Sequence, residues 1–283
     1  MTADEAALRA FDAIAGPALV PWFAVLMIAE ARWPLRRRVE AWVPHVARNA
    51  ASGSFAALVA RLAVLPVLVT VAARAERDGF GVARWIGGPK VAAGVVAFLL
   101  LDWSMYGWHR LNHVVPLLWR FHRVHHVDLD LDASTALRFH AGELLFSIVF
   151  RSAQVALVGA SPALLVGYEV TVQAATALHH ANLRLPPRVD AWLMRLVVTP
   201  RMHGLHHAVD PTLQGANWSV VLSAWDRLHR SLRAPTAHAD SPRGGMAGEG
   251  RLAIGVAELR DPAAVGLVRL LLLPFRRTRQ EPS

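Results

Sequence analysis

Apolar residues in this chain fall into long unbroken runs, not into the short alternating runs of strands. The first, Ile14 to Ala29, ends near Arg32 and the triplet Arg36, Arg37 and Arg38. A second spans Phe55 to Ala73 and is interrupted by Arg61, which must snorkel or find a partner. A third starts at Val91 and continues through Leu101, Trp103 and Tyr106 to Trp108, with aromatic residues suited to a membrane boundary. The fourth, Leu144 to Leu178, is broken by Gly159, Ser161 and Pro162, and reads as a two-helix hairpin that leaves and re-enters one side. Arg151 in its first half predicts that part of the hairpin is buried in protein. The acidic stretch Met1 to Asp12 reads as helical and lacks the positive segment of a secretory signal. Gly79 to Lys90 reads as a turn.

These runs predict an all-α integral membrane bundle of about four membrane helices or hairpins. Arginine clusters beside apolar runs mark the cytoplasmic side. Arg36–Arg38 therefore set the orientation, and following the runs from there puts the polar stretches 109–140 and 179–207 on that face. The organisation reads as N-terminal membrane helices over residues 1–108 and a histidine-bearing region over 109–233 that contains the hairpin 144–178. Residues 234–283 read as a Pro/Gly/Ala/Ser-rich linker followed by a helix on the membrane surface, Ala263 to Phe275, ahead of Arg276, Arg277 and Arg279. A multi-pass protein of the bacterial inner membrane is the expected setting.

Composition sharpens this picture. Hydrophobic residues make up 54% and charged residues 18% of 283, which excludes a disordered chain and argues against an ordinary soluble enzyme. The net charge of +9 does not indicate nucleic-acid binding, because the arginines sit in short clusters beside apolar runs. Cysteine is absent, so any metal must be held by histidine or carboxylate.

Histidine is where the chemistry concentrates. Of 14 histidines, 11 lie between His109 and His207. His109 and His113 form H-x-x-x-H. His122, His125 and His126 form H-x-x-H-H, and His203, His206 and His207 form a second one. His179 and His180 are adjacent, and His140 stands alone in RFHAGE. Residues at i, i+3 and i+4 share a helix face, and the extra adjacent histidine projects about a quarter-turn away, toward a second metal. All eleven are candidate ligands, and their number is best explained by two metals. His180 is favoured over His179, and His140 is read as touching a metal either directly or through a neighbour. His45 and His238 read as satisfied core residues, and His229 as structural or interfacial.

Imidazole-held iron suits reduction of O2 and attack on an unactivated C–H bond, with substrate delivered from the membrane. Ligand histidines need acceptors for their second N–H, and Glu143, Asp128 and Asp226 are candidates. Asn182 either orients a ligand or caps a helix. Glu143, Asn182 and Asp226 are thus the residues expected to assist the metals. A membrane zinc hydrolase is the rival reading, but no H-E-x-x-H is present. A non-catalytic metal or haem carrier is another, against which the histidines stand at helix ends and not at mid-membrane.

These motifs resemble the fatty acid hydroxylase/sterol desaturase superfamily over roughly His109 to Arg230. The three histidine boxes match those of the family. Arg138, His140 and Glu143 match its R-x-H-P-x-E element with Ala141 in place of proline. His180, Ala181 and Asn182 followed by Leu185 and Pro186, Thr199 to His203, and Trp225 to Leu228 match further family elements. Ser219 stands where glycine is usual, and His229, Arg230 and Ser231 replace F-G-T. The resemblance implies a non-haem di-iron, O2-dependent enzyme that hydroxylates or desaturates a fatty acyl, sterol or related lipid. Its histidine-rich di-metal domain would cap the bundle on the cytoplasmic side. No haem- or flavin-binding motif is visible in the sequence, so electrons are expected from an external donor such as a ferredoxin, a cytochrome b5-like protein or a reductase, and zinc, which binds such ligands tightly, is an expected substitute for iron in purified protein.

Overall fold

The computed structural model describes residues 3–86, 88–234 and 252–276, which are helical with only isolated β-bridges. Helix α1 (Ala3–Arg32) joins the acidic start to the first apolar run as one helix. Helix α2 (Trp42–Val59) continues through a π-helical turn (Ala60–Val64) into α3 (Leu65–Arg77). Pro66 lacks the N–H that would close an α-turn there, which accounts for the widened turn. Arg61 finds its partner on α1: Nε and Nη2 donate to Asp12 at 3.0 and 2.8 Å. Helix α4 (Val82–Trp85) shortens the predicted turn, and α5 (Lys90–Val114) carries the third run. Helix α6 (Pro116–His126) is followed by the hairpin α7 (Ala141–Val158) and α8 (Pro162–His180). Short helices complete the described chain: α9 (Pro187–Leu193), α10 (Pro200–His206), α11 (Pro211–Gln214), α12 (Ala224–Leu228) and α13 (Leu267–Leu272).

Among the described residues, four helical segments are long and apolar enough to cross a membrane: Glu5–Arg32, Trp42–Trp85, Lys90–Val114 and Ala141–Val158. They mark the chain as a membrane protein of the predicted all-α class. Helix α8 is not among them; it carries Glu169, Gln173 and Thr176 on one side.

Lipid tails are as apolar as leucine, so burying apolar surface between membrane helices gains little, and close packing with polar links must hold them. Small residues Ala72, Ala83 and Ala97 are buried where helices meet. Gln154 on α7 donates to the Leu101 carbonyl at 2.8 Å and to Ser104 Oγ at 2.7 Å on α5. Trp22 Nε1 on α1 donates to the Ala174 carbonyl of α8 at 3.0 Å. Arg151 and Glu169 pair across the hairpin. The hairpin turn needs Gly159, whose φ is 77°. A Cβ there would lie 2.7 Å from the Phe80 carbonyl oxygen. Gly159→Val is therefore expected to cost roughly 1–3 kcal/mol, seen as a lower thermal midpoint in detergent.

The C-terminal segment, expected to carry a helix on the membrane surface, keeps Val268, Leu272 and Phe275 exposed. It folds back over α6, where Val256, Val265, Leu270 and Leu273 pack against Trp119, Val124 and Val127. The apolar face of α6 needs a cover, and Arg123 fixes it by donating to the Leu273 and Arg276 carbonyls at 2.6 and 2.8 Å. The linker expected over 234–250, His238, Arg277 and Arg279 fall outside the described residues, apart from residue 234.

Candidate metal centre

The histidine boxes sit on short helical segments whose caps aim them inward. His109 and His113 occupy the last turns of α5, and Pro116 starts α6 so that His122, His125 and His126 close it. Thr199 caps α10, which carries His203 and His206 and ends at His207. The structure gathers nine imidazoles into two groups. His109, His113, His122, His126 and His206 form one; His125, His180, His203 and His207 form the other. Within each group the candidate ligand atoms lie within 4.8 Å of one another.

Helix geometry explains the sorting. Residues four apart are about 40° apart around a helix, so His122 and His126 share one group and His203 and His207 the other. The third member of each box, His125 or His206, projects to the opposite group. Each H-x-x-H-H box thus contributes to both groups, whereas His109 and His113 both join the group of five.

The polar atoms are arranged as a metal would require. In the group of five, Nε2 of His113, His122, His126 and His206 is buried with no protein partner. Three members are oriented from behind through Nδ1, which donates to Glu143 Oε1 from His122 (2.9 Å), to the Trp218 carbonyl from His109 (2.8 Å) and to the Ala216 carbonyl from His206 (2.8 Å). In the group of four, His125 Nδ1 donates to the Arg138 carbonyl at 3.1 Å and His180 Nδ1 to the Thr176 carbonyl at 2.7 Å. The Nε2 atoms of both rings therefore carry lone pairs, yet stand 2.9 Å apart. Two facing acceptors repel unless a cation lies between them. His203 Nε2 lies 3.1 Å from both His180 Nε2 and His207 Nε2. Burial, reinforced by neighbouring imidazoles, holds His125, His126, His203 and His207 well below their ordinary pKa, and burial takes His206 down to about 3. Neutral imidazole is the form that binds metal.

Other predicted residues are placed differently. His140 joins neither group: Nδ1 accepts from the Gly142 N–H at 2.9 Å, capping α7, and Nε2 donates to the Leu271 carbonyl at 3.2 Å. Its nitrogens are thereby used, and it ties the C-terminal cover to the hairpin. His179 is buried, with its ring centroid 4.1 Å from that of His203, but is in neither group. Asp226 bonds to the backbone of the loop beside His109. It accepts from the Trp218 and Ser219 N–H groups at 2.9 and 3.0 Å, fixing the loop whose carbonyl orients His109. Asn182 accepts from the Arg36 N–H at 2.7 Å and returns a bond to the Arg36 carbonyl at 2.9 Å. Asp128 lies one layer out and reaches the site through Arg138. Its carboxylate accepts from Arg138 (3.0 Å), Thr135 (2.7 Å) and His45 (2.8 Å), while the Arg138 carbonyl takes the N–H of His125. His229 accepts from Trp103 Nε1 at 2.9 Å and stacks on Tyr106.

Sequence reasoning missed the backbone carbonyls of Thr176, Ala216 and Trp218, which no side-chain pattern announces. It also missed Asp102, buried in α5, whose carboxylate accepts from the Leu222 N–H at 2.9 Å and from Trp225 Nε1 at 2.7 Å. A lone acidic residue amid the third apolar run was the available signal.

A cavity of about 710 Å³ opens from the histidines into the bundle. Trp22, Phe23, Leu68, Trp108, Leu144 and Val172 are among its apolar walls. His109 and His122 from one group, and His125, His180 and His203 from the other, face it. Glu143 lines it too, and is the carboxylate that orients a grouped ring directly. Glu143→Ala is expected to weaken metal binding by about 10–100-fold, and Glu143→Gln, which keeps an acceptor, by less; competition with a chelator measures both.

The family model for fatty acid hydroxylase matches residues 94–231. Alkylglycerol monooxygenase of Danio rerio is 30% identical over 134 residues, 47% of this chain and 29% of that protein. Ornithine lipid hydroxylase OlsE of Rhizobium tropici is 29% identical over 50% of this chain and 42% of its own length. Cholesterol 25-hydroxylase of Rattus norvegicus is 26% identical over 49% and 46%. The match spans less than half the length of each of these curated relatives. No solved structure matches the chain. The matched segment runs from within α5 to just past α12 and carries all nine grouped histidines; over it, just under half of its length, the chain is similar to the fatty acid hydroxylase family.

Proposed function

We propose that this protein is an O2-dependent membrane hydroxylase that inserts one oxygen atom into a C–H bond of a lipid. The observation that carries the reading is that one largely apolar cavity ends on members of both histidine groups. The group of five and the group of four would each hold one iron. The all-imidazole donor set, the unpartnered Nε2 atoms and the facing lone pairs fit such ions, and zinc would be held by the same ligands in iron-poor preparations. Iron, when bound, supplies O2 activation and oxidation of the C–H bond.

The chain's own residues do the rest. Apolar walls take up the lipid chain and exclude water, which protects the reaction from uncoupling. Glu143 holds the His122 ring in one orientation and tautomer. Asp226 and Asn182 act as positioning residues, the first through the Trp218 loop and the second through the loop at Arg36. The balance is one lipid C–H, one O2, two electrons and two protons giving one C–OH and one water. The electrons therefore come from outside, and a ferredoxin, a cytochrome b5-like protein or a reductase docking on a cytoplasmic face marked by Arg36, Arg37 and Arg38 would supply them. Hydroxylation is favoured over desaturation because the relatives are named as hydroxylases and monooxygenases. Those names also favour a lipid that carries a polar group.

The test is turnover under oxygen-18 gas with iron-loaded protein, a chemical reductant and extracted membrane lipid. A lipid product carrying one oxygen-18 atom is expected. Loss of two hydrogens without label would make the protein a desaturase, and an unchanged lipid pool would overturn the oxidation reading.

A further inference from the structure

Two polar stripes run down the cavity away from the histidines. On α8, Glu169, Gln173, Thr176 and His180 are spaced four, three and four residues apart and all face the cavity. On α7, Glu143, Ser147 and Arg151 are spaced four apart and face it as well. The stripes converge where Arg151 Nη2 pairs with Glu169 Oε1. At the helical rise of 1.5 Å per residue, this pair lies about 12 Å along α7 from Glu143 and about 16 Å along α8 from His180.

A partly buried ion pair adds little net stability to a bundle, and ionisable groups inside a membrane bundle usually mark a functional path. The pair cancels its own charge, so it holds no full charge for an anion or a cation. It does leave a buried donor, Arg151 Nε, with no partner, beside a carboxylate that can accept further bonds. A donor next to an acceptor suits a group that both accepts and donates.

Resting on the lipid-oxidation reading, we infer that Arg151 and Glu169 bind the neutral polar group of the substrate, a hydroxyl or a group of like hydrogen-bonding character. The oxidised carbon then lies roughly 12–16 Å from that group, a separation set by the two helices. The substrate class is a neutral-headed amphiphile, and these residues determine which carbon is oxidised.

Trp22 and Trp108 line the cavity, so binding can be read as tryptophan quenching, with no need for metal or turnover. The probes are a dibrominated long-chain alcohol, the matching alkane and the matching carboxylate, compared at equal mole fraction in detergent. The wild-type protein should bind the alcohol about tenfold more tightly than the alkane, read as the quenching in excess of that from the eight other tryptophans, which the Trp22→Phe, Trp108→Phe protein reports. Arg151→Met combined with Glu169→Met should bring alcohol and alkane to parity, and Glu169→Gln, which keeps an acceptor, should retain part of the preference. Equal binding of alcohol and alkane by the wild-type protein overturns the inference without reference to any variant. Tightest binding of the carboxylate also overturns it, assigning Arg151 to an anionic lipid. A preference for the alcohol with no oxidised product would instead fault the oxidation reading, and an oxidised product without the preference would fault only this inference.

Discussion

Alanine at His206 is expected to lower lipid oxidation by more than about a hundredfold, because even residues that only orient a metal ligand cost 10–100-fold when removed. His206 is the crossing member of its box: it leaves its helix neighbours His203 and His207 to join the group of five. Its Nδ1 is occupied by the Ala216 carbonyl at 2.8 Å, and its buried Nε2 has no protein partner. The variant should lose the metal of that group and keep that of the group of four, so activity disappears while about half of the metal remains. His125→Ala should show the mirror image, since His125 is the member of its box that crosses to the group of four. Metal analysis and product detection on the same preparations check both outcomes together.

Asp128→Ala should be the most destabilising single change away from the histidines. Asp128 is fully buried and receives bonds from Arg138, Thr135, His45 and Asn49 at 2.7–3.2 Å. Arg138, beside it, holds this carboxyl well below the usual range, with help from His45. Truncation strands Arg138 in the interior and costs roughly 3–5 kcal/mol. The same loss frees the Arg138 backbone that orients His125, so metal retention should fall alongside the unfolding midpoint. Arg138→Met paired with Asp128→Leu removes both charges and should recover much of the stability, which separates the electrostatic cause from a packing one.

What could be read from the sequence, and what could not, follows from how local each signal is. Apolar runs and i, i+3, i+4 histidine spacing are local, so the membrane helices and the sharing of one box between two groups could be anticipated. Arg61 and Arg151 were recognisable as needing partners; Asp12 and Glu169, one on another helix and one across the hairpin, were not recognisable as those partners. The alternation of Asp128, Asp130 and Asp132 with leucine does not show in sequence which of the three is buried. In the fold all three carboxylates are buried: Asp130 takes the Val39 and Glu40 N–H groups, and Asp132 takes Arg38. His45 read as a satisfied core residue; it is buried, with Nε2 bonded to Asp128 at 2.8 Å and Nδ1 3.2 Å from Asp132 without a hydrogen bond. Only the third dimension shows that its neighbours support the loop behind His125. His140 matched a family element in sequence, yet its ring is used in capping α7 and anchoring the C-terminal cover. The amphipathic character of α6 could have predicted that cover, had the helix been read as needing a partner on its apolar side.

The central claim is that the two histidine groups are two iron sites. Its most direct measurement is iron content per chain in protein purified in detergent from iron-supplemented, oxygen-limited cells, with His125→Ala alongside. The account predicts about two iron ions per chain in the wild-type protein and about one in the variant. One metal or none in the wild-type protein, or a variant that retains both, would contradict it.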